Sequence, residues 1–208
     1  MKQDAYGFHA GIYDRLYEPA ARILRHAGLK IFPPQQNLSI LDVGCGTGTQ
    51  LALYDKPGCT LFGVDLSPAM LTVARRKLGE TAELRLEDAS TLTFAGGTFD
   101  LVTAVLVLHE IPAGLRSAVL RECKRVVKPD GRIMFMDHHF GPHPFPIGWI
   151  YKVLVTSMEI SAGRDHFANY RDFIKRQGLK ALIAEQHLTV IKRFIFKSGV
   201  AAVYLLKP

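Results

Sequence analysis

Three glycines at alternate positions, Gly44, Gly46 and Gly48, follow the short apolar run Leu38 to Val43 and lead into a helix-like stretch ending near Tyr54. A strand that runs into glycines and then a helix constrains this chain more than any other feature. In a doubly wound sheet that joint lies at the carboxyl end of the first strand, where ligands bind. Glycines there let the backbone turn sharply and approach a ligand with no Cβ in the way. The spacing is GxGxG. A dinucleotide fingerprint would be GxGxxG, with a pyrophosphate on the helix N-terminus, and here Thr49 holds the place of its last glycine. No Gly-Lys-Ser/Thr follows, so a phosphate-cradling Walker loop is excluded too.

The rest of the chain alternates in type. Thr60 to Asp65 reads as a second strand, and Ser67-Pro68 opens a helix with serine as N-cap and proline in the first turn. That helix, Pro68 to Leu78, puts Met70, Leu71, Ala74 and Leu78 on one side and Arg75, Arg76 and Lys77 mostly on the other. Glu83 to Glu87 alternates like a strand, and Phe99 to Val107 is nearly unbroken apolar sequence, as a central parallel strand requires. Ala113 to Val127 is helical, with Leu115, Val119 and Cys123 or Leu120 inward, and Pro129-Asp130-Gly131 stops it. Arg132 to Asp137 is the next strand. Thr189 to Phe196 and Val200 to Leu206 are separated only by Lys197-Ser198-Gly199, which is hairpin spacing, so they are expected to be antiparallel. The pattern is that of an α/β doubly wound sheet with an antiparallel edge. Residues 1–34 read as an N-terminal helical appendage, with a helix over Ala10 to Leu29. Phe140 to Ser161 is the irregular part, rich in proline and aromatics, and is where substrate is expected.

Bulk properties exclude several classes. A length of 208 residues suits one domain. No apolar run reaches the roughly 18 residues of a membrane span; the closest, Phe145 to Thr156, is shorter and is broken by Lys152. The first residues have no apolar core like that of a signal peptide. Cys45, Cys59 and Cys123 form no CxxC pair, so a reducing cytoplasm is the expected location. A formal charge of +7 suits nucleic acid, an anionic membrane surface, an acidic substrate or simply a basic soluble protein. Arg75 to Lys77 and Arg121 to Lys128 look like solvent faces of helices, which favours the last of these.

Two acids narrow the ligand. Asp42 sits at the end of the first strand, where it can meet an ammonium group. Asp65 ends the second, roughly 20 residues on, where a carboxylate can take both hydroxyls of a ribose. Each would otherwise serve as a cap or turn carboxylate. A ligand with a ribose, a cationic amine and no phosphate fits better than a nicotinamide dinucleotide.

Asp42-Val43-Gly44-Cys45-Gly46-Thr47-Gly48 followed by Gly63-Val64-Asp65-Leu66-Ser67-Pro68 resembles the first two motifs of class I S-adenosylmethionine-dependent methyltransferases. Leu86-Glu87-Asp88-Ala89 resembles the motif that holds the adenine amino group. Phe99 to Ile111 resembles the fourth-strand motif. Arg121 to Gly131 is similar to the family's R-x-L-K-P-G-G turn, with Val127 for leucine and Asp130 for the first glycine. Within the family the chain is most similar to ubiquinone/menaquinone-biosynthesis, small-molecule and bacterial phospholipid methyltransferases. The resemblance implies the Rossmann-like methyltransferase fold, a seven-stranded and mostly parallel sheet with an antiparallel C-terminal hairpin strand. It also implies S-adenosylmethionine as cofactor and S-adenosylhomocysteine as product. Gly44, Cys45 and Gly46 would then run under the methionine part and Asp42 would meet its amine. Asp65 would hold the ribose, Leu66 and Met70 would pack on adenine, and Asp88 and Ala89 would read its amino edge. Ala104 and Val105 would present backbone to the methionine end, and Tyr13 would either close over the cofactor or simply pack on the sheet edge.

Methyl transfer is an in-line displacement on an activated sulfonium, so alignment and desolvation can supply much of the rate. A base is needed only where the acceptor must lose a proton. His109, past the fourth strand, and His138 and His139, past the fifth, are the candidate catalytic groups; His109 could equally fill its turn. The spacing of Asp137, His138, His139 and His143 is interrupted by Gly141-Pro142, so no metal site is expected. Nucleic-acid bases are set aside as acceptors: the fourth strand lacks an Asn/Asp-Pro-Pro-Tyr run, and no cysteine follows a proline. A small-molecule substrate remains, selected by a cap insertion at about residues 140–165. Its residues Pro144 to Tyr151, with Leu154, Val155 and Met158, offer an apolar wall. That wall suits a quinone precursor or lipid-like acceptor and peripheral contact with an anionic membrane, or else a cap helix packed on the domain's own core. The alternative function is a non-catalytic domain that binds the cofactor as a sensor or scaffold.

Overall fold

The computed structural model describes residues 13–208. Its sheet has seven strands: β1 (Ser39–Val43), β2 (Thr60–Asp65), β3 (Ala82–Leu86), β4 (Phe99–Val105), β5 (Val127–His138), β6 (Thr189–Ile195) and β7 (Ala201–Lys207). They lie in the order β3-β2-β1-β4-β5-β7-β6. The pairings from β3 across to β5 are all parallel, and β7 runs antiparallel to both β5 and β6. The chain order reverses between β1 and β4. Their carboxyl ends form the switch point at which such sheets bind ligands.

Residues alternate in facing along each strand, and this divides the core in two. Leu41, Val43, Val102, Ala104, Ile133 and Phe135 face a cluster completed by α4 (Ala113–Val126), α6 (Arg164–Lys175) and α7 (Gly178–Glu185). Ile40, Leu101, Val105, Met134 and Met136 face the other cluster, with α1 (Tyr13–Ile31), α2 (Thr49–Leu53) and α3 (Pro68–Leu78). The parity matters for the site. Asp42 and Thr103 fall on the α1–α3 side, and Asp137, in step with Ile133 and Phe135, falls on the α4–α6 side.

The early elements match the sequence expectations. Ser67 caps α3 by accepting from the Met70 amide at 3.1 Å, and Met70, Leu71, Ala74 and Leu78 are its buried residues. Three expectations are corrected. Leu115 is 42% exposed, whereas Arg116 beside it is 2% exposed. The Arg116 guanidinium donates to Leu108 O (3.1 Å), Asp172 Oδ2 (2.8 Å) and Asn169 O (2.6 Å), and these three acceptors compensate its burial. Pro129-Asp130-Gly131 does not separate helix from strand: α4 ends at Val126 and β5 begins at Val127, and these residues bulge within the strand between the pairs Phe99↔Val127 and Leu101↔Arg132. The third concerns the stretch after β5. It is irregular only over residues 139–146, then forms α5 (Ile147–Ser161), and α6 and α7 follow before β6.

Candidate cofactor and acceptor site

The loop after β1 is built on left-handed glycines, with φ of 65° at Gly44, 52° at Gly46 and 76° at Gly48. They serve different ends. A Cβ on Gly44 would lie 2.4 Å from Val107 Cγ2, and one on Gly48 would lie 2.7 Å from Leu78 Cδ1, so these two allow close packing. A Cβ on Gly46 would meet nothing within 4 Å, so that residue borders open space. Asp65 ties the loop to the end of β2: its Oδ2 accepts from Gly46 N and its Oδ1 from Ser67 N, each at 2.8 Å. The Cys45 side chain turns inward, since a Cβ on Gly63 would come within 2.8 Å of its sulfur. Burial, with the charges of Asp42 and Asp65, pushes its thiol well up, so it presents backbone and no nucleophile.

Beneath the loop, the buried Asp42 accepts from the Thr103 hydroxyl at 2.6 Å. Burial pushes its pKa up to about 7, although the Thr103 bond and the Arg25 charge both lower it. Arg25 donates to Gln50 Oε1 at 3.2 Å, and Gln50 Nε2 is buried with no hydrogen-bond partner among the described residues. Arg25 and Gln50 thus add donors that the sequence reading missed; their positions on α1 and α2 carry no local signal.

Further out, Leu66 is 68% exposed beside Asp65, and Met70 is buried. Asp88 is exposed and accepts from Ser90 N at 2.8 Å, while Ala89 packs half-buried against the core. Ala104 pairs with Val43 and Phe135, and Val105 pairs with Met136, both buried in β4. Tyr13 begins α1, but its side chain lies outside the described residues.

Two residues past Val107, the packing partner of Gly44, stands His109. Its Nδ1 is 2.7 Å from Asp137 Oδ1, and both side chains are buried. Asp137 Oδ2 also accepts from the amides of Leu108 (2.9 Å) and His109 (3.3 Å), and Oδ1 accepts from the amide of His138 (2.7 Å). One carboxylate therefore shapes the turn after β4 and fixes the imidazole. Leu106, at the start of that turn, has φ 55°, a strained value for a β-carbon-bearing residue at the ligand edge of the sheet.

Glu159 of α5 completes the cluster. Its Oε1 accepts from His138 Nε2 at 3.0 Å and its Oε2 from His166 Nε2 at 2.7 Å, and Oε2 also lies 3.6 Å from His109 Nε2. Burial would lower the His109 pKa, but the charge and hydrogen bond of Asp137, with Glu110 and Glu159 nearby, carry it up to about 9. Burial would raise Glu159 in turn, and the bonds from His138 and His166 instead hold it well below the usual range. His109 and His138 are thus brought together, with ring centroids 4.5 Å apart. His139 is not: its Nδ1 accepts from Gly141 N at 3.1 Å and its ring stacks on Phe140. Glu159 and His166 escaped the sequence reading because each lies at a helix end, distant in sequence from His109.

Residues 41–135 match the family described as "Methyltransferase domain". The chain is 30% identical over 196 residues to a demethylmenaquinone methyltransferase of Bacillus licheniformis, covering 87% of this chain and 83% of that one.

The chain belongs to the class I S-adenosylmethionine-dependent methyltransferases.

This methyltransferase chain is also 36% identical over 149 residues to nocamycin O-methyltransferase of Saccharothrix syringae, covering 66% of its own length and 49% of the relative's. It thus spans about half the length of that relative. An S-adenosylmethionine-dependent methyltransferase from Aquifex aeolicus shares the fold, with a TM-score of 0.64 at 16% identity, over 95% of this chain and 97% of that one.

S-adenosylmethionine is the family's cofactor, and the residues of this methyltransferase suit it. Asp65 accepts the Gly46 and Ser67 amides at the end of β2, and a carboxylate in that position suits ribose hydroxyls. Asp42 is a carboxylate ready to ionise beside an amine, and the spare amide hydrogens of Gln50 suit a carboxylate. Gly46 borders the space a ligand requires, and the exposed Leu66 offers an apolar surface for a base.

Proposed function

We propose that this chain transfers the methyl group of S-adenosylmethionine to a hydrophobic small molecule of the quinone-precursor or lipid-like class. One observation carries the reading: Glu159, bonded to His138 at the end of β5, belongs to a helix whose apolar residues are largely uncovered. Trp149 is 54% exposed, Ile150 64% and Val153 63%, and Phe145 just before the helix is 85% exposed. A cap helix packed on the core would hide such residues. A helix that borders an apolar acceptor, or rests on the bilayer that holds one, would expose them.

The bound sulfonium supplies an activated methyl group. The protein's own contribution is alignment and charge. The glycine loop packs against the turn after β4 through Gly44 and Val107, which puts the loop and His109 at the same end of the sheet. His109 is cationic at neutral pH and stabilises negative charge developing on an acceptor oxygen. As the carbon–sulfur bond breaks and the carbon–oxygen bond forms, the hydroxyl proton passes to the carboxylate of the partly exposed Glu110, 3.9 Å from His109 Nε2. His138, held by Glu159, orients the acceptor.

Turnover of acceptors with increasing apolar tails tests this reading. KM is expected to fall with tail length in the wild-type chain. Trp149→Ala is expected to raise KM for the long-tailed acceptors while leaving cofactor affinity in place. Unchanged turnover of every such acceptor by Trp149→Ala would reject the hydrophobic-acceptor assignment.

A further inference from the structure

Two histidines and a glutamate, from three separate elements, bring one donor atom each into a single cluster. His109 follows β4, Glu159 lies in the last turn of α5, and His166 lies in the first turn of α6. Glu159 Oε2 is 2.7 Å from His166 Nε2 and 3.6 Å from His109 Nε2, and the three donor atoms lie within 4.8 Å of one another. A tetrahedral ion with ligands about 2.0–2.1 Å away separates its donor atoms by roughly 3.3 Å. Small side-chain rotations bring this set to that spacing.

The outer partners fit as well. His109 Nδ1 is held by Asp137 Oδ1 at 2.7 Å, which directs its Nε2 inward. The second oxygen of Glu159 is held by His138 Nε2 at 3.0 Å. A carboxylate on the far nitrogen of a histidine, and a hydrogen bond on the far oxygen of a carboxylate, are the supports that orient metal ligands. Without an ion, nitrogens aimed at the Glu159 carboxylate each need a proton to make a bond; without those protons, the same lone pairs are ligands.

We propose that His109, Glu159 and His166 form a binding site for a divalent transition-metal ion such as zinc. Three protein ligands leave a fourth position for water or the acceptor's oxygen, as catalytic rather than structural sites do. His166, at 16% side-chain exposure, is the most exposed of the three. Glu159 and His166 lie on different helices and His109 is far from both in the chain, so only the fold assembles the set. The catalytic consequence rests on the methyl-transfer reading, because a bound cation takes the place of the charge that the His109 proton otherwise provides. Ion binding itself is independent of turnover.

Titration of chelator-stripped full chain with Zn²⁺ by calorimetry, and with Co²⁺ by visible absorption, tests the site. One equivalent of zinc per chain is expected, together with a low-coordinate cobalt spectrum. Glu159→Gln and His166→Ala are each expected to abolish binding, with folding checked by circular dichroism and cofactor affinity retained in His166→Ala. Asp137→Asn is expected to weaken binding about 10–100-fold. Absence of saturable zinc binding by the folded wild-type chain overturns the proposal, as does zinc binding that survives both ligand substitutions. A positive titration in a chain that transfers no methyl group keeps the metal site and rejects the methyl-transfer reading instead.

Discussion

His109 Nδ1 stands 2.7 Å from Asp137 Oδ1 in a buried contact that joins the turn after β4 to the end of β5. The two side chains fix each other's charge. The aspartate raises the imidazole pKa to about 9, and the imidazole, acting against burial, helps hold the aspartate below its ordinary range.

The pair makes stability depend on pH. The folded His109 pKa of about 9 lies above the ordinary 6.5, so its contribution is fully present below 6.5 and is lost as pH rises through 9. The acidic limb has the opposite sign: Asp137 and Glu159 have lowered folded pKa values, so their contribution is lost as pH falls through those values. The unfolding free energy from denaturant titrations across the alkaline window should decline by an amount on the order of 3 kcal/mol. Asp137→Asn should destabilise by about 3–5 kcal/mol near neutrality, because it leaves a buried imidazolium without its partner. A flat stability profile between pH 6.5 and 9 would contradict the pairing.

Gly44 and Gly46 should respond differently to alanine. At Gly44 the new Cβ combines a φ of 65° with a 2.4 Å approach to Val107, and a loss of about 3 kcal/mol in stability is expected. At Gly46 the protein offers no clash, so the stability loss should be roughly 1–2 kcal/mol from backbone strain alone. Cofactor affinity, measured by calorimetry, should nevertheless fall at least about tenfold in Gly46→Ala, because the Cβ would enter the space proposed for the cofactor. Unchanged affinity there would place the cofactor elsewhere.

Asp42 predicts a pH dependence of cofactor binding. A cationic amine favours the carboxylate form, and the free-state pKa is about 7. Affinity should therefore weaken as pH falls below 7, by up to about tenfold per unit, with proton release on binding. Asp42→Asn should flatten the profile below neutrality and weaken binding above it. Calorimetry in buffers of different ionisation enthalpy reads both effects, and an identical profile in the variant would remove Asp42 from the site.

Arg116 should tolerate neither shortening nor lysine. Its three bonds, to Leu108 O, Asp172 and Asn169 O, need the guanidinium fork, and a lysine ammonium in the same buried position reaches fewer of them. Arg116→Lys should cost about 2–4 kcal/mol in chemical denaturation. A loss below about 1 kcal/mol would show that the strut is dispensable.

Much of the sheet and of the glycine loop was legible because their signals are local. β2 and α3 were readable to the residue, from an apolar run ended by Asp65 and from a serine–proline helix start. Leu115 and Arg116 show where that reasoning stops. Side-chain polarity favours the leucine as the buried residue, and the arrangement is reversed by acceptors that reach Arg116 from α6 and from the turn before His109. α5 gave no clear period because its apolar residues lie on nearly every side, and the prolines before it read as a loop. The histidine cluster was half visible. His109 and His138 follow strand ends, where ligand-facing residues are expected, whereas Glu159 and His166 join them only through the packing of α5 and α6.

Transfer of a methyl group to a small hydrophobic acceptor by the glycine loop and the histidine cluster acting together is the proposal to be tested. The most direct measurement incubates the purified chain with S-adenosylmethionine labelled in the methyl group and with a fractionated cell extract, then identifies the labelled product. A label recovered in an apolar small molecule, and lost with His109→Ala in a variant that still binds the cofactor, is the predicted result. Stoichiometric cofactor binding with no label transferred to any fraction would contradict it and would favour a cofactor-binding sensor or scaffold.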